Sequence, residues 1–82
     1  MRAEHTLRLA PVAVRHWLEI DDREARQEAH EILESLRRSG TASRTFSLLN
    51  GPEHRAYGRL VKVLFHRDEE RRLISVADIL PR

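Results

Sequence analysis

Two apolar, β-branched runs in the last third of the chain leave few folds open. They are Leu60-Val61-Lys62-Val63-Leu64-Phe65-His66 and Leu73-Ile74-Ser75-Val76-Ala77-Asp78-Ile79-Leu80. The charged segment Arg67-Asp68-Glu69-Glu70-Arg71-Arg72 joins them, so the pair reads as an antiparallel hairpin. Side chains alternate across a strand, which sends Val61, Val63 and Phe65 to one face. Leu60, Lys62, Leu64 and His66 go to the other. An isolated hairpin is marginal in water, so the apolar trio needs something to lie on. Lys62 is the single lysine of the chain, set inside an apolar strand. A local misfit of this kind marks a site or a partner surface more often than a core.

The partner layer is legible upstream. From Asp22 to about Arg38 the apolar positions Ala25, Ala29, Ile32, Leu33 and Leu36 form one helical stripe. Glu24, Glu28, Glu31 and Glu34 lie off it. Asp21 or Asp22 is placed to cap the start, and Asp21 with Glu24 has capping-box spacing. Arg37 and Arg38 fall in the last turn, where the helix dipole favours cations, and Gly40 ends the helix. A shorter helix is expected over Val12 to Leu18, begun by Pro11. Its Val14, Trp17 and Leu18 share a face expected to be core.

Before these helices, His5-Thr6-Leu7-Arg8-Leu9 alternates with period two and reads as a first strand. After them, Arg44-Thr45-Phe46-Ser47-Leu48-Leu49 reads as a second strand. Asn50-Gly51-Pro52-Glu53 is a turn signal. His54-Arg55-Ala56-Tyr57-Gly58-Arg59, polar and basic, is expected to be a loop. The resulting order is β-α-α-β-β-β, an α+β fold with two helices on one face of a mainly antiparallel four-stranded sheet. Lys62 and His66 then stand on the open face.

Eighty-two residues set a single domain over 1–82. There is no cysteine, hence no disulfide framework or thiolate metal site. No apolar run is long enough for a membrane span, and Met1 to His5 lacks the apolar core of a signal peptide, so the cytoplasm is the expected location. Residues 1–40 carry seven arginines and eight acidic residues, and residues 41–82 carry eight basic and five acidic ones. The basic second half suits an anionic partner such as RNA or DNA, or simply a mixed solvated surface.

Chemistry-bearing motifs are sparse. The five histidines lack metal-ligand spacing, and no metal or cofactor is expected. A glycine-rich phosphate loop and a nucleophile elbow are missing. His54 and His66 are of the residue type that suits acid or base roles, or they sit idle on the surface. Lys62 reads as a phosphate contact, as a snorkelling side chain on the open sheet face, or as a salt-bridge partner of Asp78 on the next strand.

The pattern of the whole chain resembles the RelE/ParE superfamily of bacterial toxins. Leu7 to Leu18 is similar to that family's opening strand and Pro-x-Ala helix start. Ile32 to Leu36 is similar to the end of its second helix. Val61 to Glu70 looks like its Tyr-Arg-Val-Ile-Tyr-x-Val-Asp-Asp strand and turn, and Ile74 to Arg82 like its last strand and following basic residue. The resemblance implies a toxin of a type II toxin–antitoxin pair, neutralised by a cognate antitoxin. In one branch the activity is ribosome-dependent cleavage of mRNA by attack of a ribose 2′-hydroxyl on the adjacent phosphate. In another it is inhibition of DNA gyrase, so a non-catalytic interaction protein of the same fold is the alternative. A small nucleic-acid-binding α+β protein of unrelated function is a third. By position, Lys62 takes the place of the family's sheet arginine, and Arg82 that of the basic residue after the last strand. With His54 these are the expected catalytic residues. Arg44, Arg55, Tyr57, Arg59 and His66 are the expected RNA contacts.

Overall fold

The computed structural model describes residues 4–40, 45–47 and 53–82. Along the chain these form β1 (Thr6–Leu9), α1 (Pro11–Glu19), α2 (Arg23–Ser39), β2 (Thr45–Ser47), β3 (Glu53–Tyr57), β4 (Val61–Asp68) and β5 (Leu73–Pro81). The strands make one sheet in the order β1-β5-β4-β3-β2. β1 runs parallel to β5, and every other pairing is antiparallel. The α+β class and the helices preceding the hairpin are as expected. The sheet has one strand more than expected, because the basic segment read as a loop forms β3.

The core sits between α2 and the sheet. Ala25, Ala29, Ile32, Leu33 and Leu36 on the predicted stripe are buried against Val61, Val63, Phe65, Ile74, Val76 and Ile79. Pairing between β4 and β5 slips by one residue at Leu64 and Phe65, so that Val76 opposes Phe65 while Asp78 opposes Leu64. Ala77 is the extra residue of this bulge. The slip resets the alternation of β5, which is why Ile74, Val76 and Ile79 all reach the core despite unequal spacing.

In α1 the core-facing stripe differs from the expectation. Ala13 is fully buried and Trp17 and Ile20 pack against the core, whereas Val14 is 37% exposed and Leu18 69% exposed. Positions 13, 17 and 20 are spaced as well for one helical face as 14, 17 and 18. The small Ala13 allows the helix to approach the sheet closely. His16 on α1 places Nδ1 2.7 Å from Asp78 Oδ1.

Helix ends follow the sequence. The Asp22 side chain accepts a hydrogen bond from the Glu24 N–H at 2.9 Å. Gly40 caps the other end with φ +76°, donating its N–H to the Leu36 carbonyl at 2.8 Å. A Cβ there would also strike the buried His5 ring, 2.7 Å away. Asp22→Ala is expected to cost about 1 kcal/mol by removing the cap. In a domain of this size that lowers the thermal midpoint by about 4–8 °C, measurable by circular dichroism, and an unchanged midpoint would contradict the capping role.

Candidate functional site

The open face of the sheet is laid out by cross-strand register. Glu53, Arg55 and Tyr57 on β3 lie opposite His66, Leu64 and Lys62 on β4. Lys62 and Leu64 in turn oppose Leu80 and Asp78 on β5, and His66 opposes Ser75, which pairs with Arg8 of β1. The intervening residues Ala56, Val61, Val63 and Phe65 are fully buried on the helix side, which confirms the face assigned to Lys62.

At one end of this face three cations gather round one phenol. Tyr57 is directly opposite Lys62. The Arg82 guanidinium lies over the Tyr57 ring, 5.2 Å from its centroid. Arg82 is held there twice: its backbone N–H donates to the Leu60 carbonyl at 2.8 Å, and Nη1 donates to the Gly58 carbonyl at 2.7 Å. Arg55 hydrogen-bonds the Tyr57 hydroxyl. That bond moves the phenol below its ordinary pKa. Burial acts in the opposite direction, and the charges of Arg55, Lys62 and Arg82 add to the lowering. Arg55 Nε is buried without a hydrogen-bond partner and lies 3.8 Å from Glu53 Oε1.

Other residues singled out in the sequence lie elsewhere. His54 opposes Phe65 and stacks on it, with ring centroids 5.3 Å apart, so it belongs to the helix-side face and not to the face of Lys62. Burial holds its pKa below the ordinary value, and the charges of Arg67 and His66 add to this. Arg59 turns to α2, where its guanidinium donates to Glu24 at 3.1 Å. His66 is on the open face but four residues from Lys62, about 13 Å along the strand, beside a hollow lined by Arg8, Pro11, Ser75 and Ala77. Arg44 and the turn at Asn50 to Pro52 lie outside the described residues. Asp78 is engaged by His16 and by the Ile79 N–H at 2.8 Å, which is not the pairing with Lys62 that was one expectation.

The turn that carries Gly58 is built from α2. Glu28 accepts hydrogen bonds from the backbone N–H groups of Arg59 at 2.8 Å, Leu60 at 2.7 Å and Val61 at 2.9 Å. The turn closes with Gly58 N–H donating to the Val61 carbonyl at 2.8 Å. A Cβ on Gly58 would collide with the Glu28 carboxylate, so glycine is required by close approach. Burial raises the Glu28 pKa, but the three N–H groups and the Arg59 charge outweigh it and hold the carboxyl below its ordinary value. In the sequence Glu28 is one of four glutamates off the apolar stripe. Its position on the helix carries no sign of this long-range role.

Among the described residues no three metal-ligating side chains come together, and no helix is long and apolar enough to cross a membrane. No protein-family model matches the sequence, and no curated protein matches it. Solved structures do. A chain of the RelBE2 toxin–antitoxin complex of Mycobacterium tuberculosis superimposes with a TM-score of 0.82 at 16% identity, covering 98% of this chain and 100% of that one. A chain of the archaeal RelE–RelB complex of Pyrococcus horikoshii gives 0.82 at 12% identity, covering 98% and 97%. A free mutant of the E. coli toxin RelE gives 0.75 at 13% identity, covering 95% and 83%. The chain therefore has a RelE-like fold, the fold implied by the resemblance of its sequence.

Proposed function

We propose that this protein is the toxin of a type II toxin–antitoxin pair, acting in the cytoplasm and cutting mRNA on the ribosome. The observation that carries this reading is the cluster of Arg55, Lys62 and Arg82 around Tyr57 on the open face of a RelE-like sheet. Attack of a ribose 2′-hydroxyl on its own phosphate builds negative charge on the phosphorane oxygens. Fixed cations stabilise that charge most where it develops. Lys62 offers a point charge, while Arg55 and Arg82 present planar forks suited to two oxygens of one phosphate. A cognate antitoxin would silence the protein, as the pairing in the similar complexes suggests.

A second reading, binding without cleavage as in a gyrase-inhibiting toxin, has its own support. His54 faces the helices, so it does not serve the cations as a base. Induced expression in a bacterial host, with primer-extension mapping of transcripts, separates the two. Growth arrest with codon-positioned cuts is expected, with cleavage reduced about 10²-fold or more in Lys62→Ala at an unchanged melting temperature. Arrest with intact transcripts and damaged DNA would transfer the assignment to gyrase. Absence of arrest would overturn both readings.

A further inference from the structure

We propose that Tyr57 is the proton-accepting residue of the site, its phenolate oxygen taking the proton of the attacking ribose 2′-hydroxyl. The proposal rests on the nuclease reading above. Three cations can stabilise a phosphorane, and the step also needs a group that takes the proton of the 2′-hydroxyl. The groups facing Tyr57 are Arg55 and Glu53 on β3, Lys62 on β4 and Arg82 beyond β5. Glu53 is four positions back from Tyr57 along β3, opposite His66, and beside Arg55. Asp78 is occupied by His16 and a backbone N–H, His54 is on the other face, and His66 is distant. Tyr57 is left as the acceptor at the centre of the cations.

Its surroundings suit an anion. Arg55 donates to the phenol oxygen, Lys62 is directly across the strand pair, and Arg82 is pinned over the ring by two hydrogen bonds. In the step, the 2′-hydroxyl proton passes to the Tyr57 oxygen as O2′ bonds to phosphorus. The P–O5′ bond breaks, and O5′ takes a proton from water. The products are a 2′,3′-cyclic phosphate and a 5′-hydroxyl, and Tyr57 returns its proton to solvent. The lowered pKa of the phenol agrees with this role.

Tyr57 is the only tyrosine of the chain, so phenolate absorbance reports it alone. Titration of the purified protein is expected to give a midpoint below that of free tyrosine, moving upward in Arg55→Gln. With purified protein, ribosomes and a defined mRNA, single-turnover cleavage should rise with pH to a plateau at the same midpoint. Tyr57→Phe keeps the ring and its contact with Arg82. It should lose about 10²-fold or more in rate together with that alkaline rise. A variant that cuts at the wild-type rate with the wild-type pH profile overturns the role of Tyr57 alone, as does a phenol that titrates no lower than free tyrosine. A wild type that cuts no RNA at any pH overturns the nuclease reading itself, whatever the absorbance shows.

Discussion

Glu28→Ala is expected to destabilise the protein by about 3 kcal/mol at neutral pH. The carboxylate supplies three backbone acceptor contacts to one turn, and those to Leu60 and Val61 are partly buried. Hydrogen bonds to a charged group contribute about 1.5–3 kcal/mol each, and an unsatisfied buried N–H is costly. The Arg59 N–H is exposed and regains water, so the third bond adds little. Urea unfolding at pH 7 measures the loss, and a change under about 1 kcal/mol would contradict the structural role.

The same residue sets an acid dependence. Its folded pKa is depressed, so the unfolded chain binds more protons between the two values. The stabilisation is complete above the unfolded carboxylate pKa and is lost as pH falls through the lower folded value. Glu28→Gln should flatten that acid limb. It should also weaken the hold of the Gly58 carbonyl on Arg82, so cleavage should fall with stability.

Phe65→Ala is the second large effect, an expected loss of about 3–5 kcal/mol. Phe65 is fully buried, is among the largest side chains of the core and carries the His54 ring stacked on it. A domain of this size has about 4–12 kcal/mol in total, so much of the population would unfold at physiological temperature. Phe65→Leu, which retains most of the volume, should lose less. The contrast with Lys62 is instructive. The two residues are three positions apart on β4, yet one is expected to change the unfolding midpoint and the other only the activity. Equal melting losses for both would show that Lys62 is structural.

Much of this architecture is written in short-range periodicity. The stripe Ala25, Ala29, Ile32, Leu33, Leu36 and the caps Asp22 and Gly40 specify α2, because each depends only on neighbours within one or two turns. Alternation in Val61 to His66 settles the strand and its two faces, so the side on which Lys62 stands is legible in the sequence.

Tertiary structure decided the rest. Glu53-His54-Arg55-Ala56-Tyr57 has one apolar core residue, Ala56, and no strand signature. It becomes β3 because β4 offers it a hydrogen-bonding edge and a buried slot for that alanine. Once it is a strand, its pleat separates His54 from Arg55 and Tyr57, so the side chains that share the face of Lys62 and Arg82 are Arg55 and Tyr57. Glu28 acquires its role only from a turn 31 to 33 residues away. Local sterics and burial period specify the helices, the hairpin and the face of the one lysine. Which side chains meet that lysine was decided by cross-strand register, a property of paired backbones and not of any one segment.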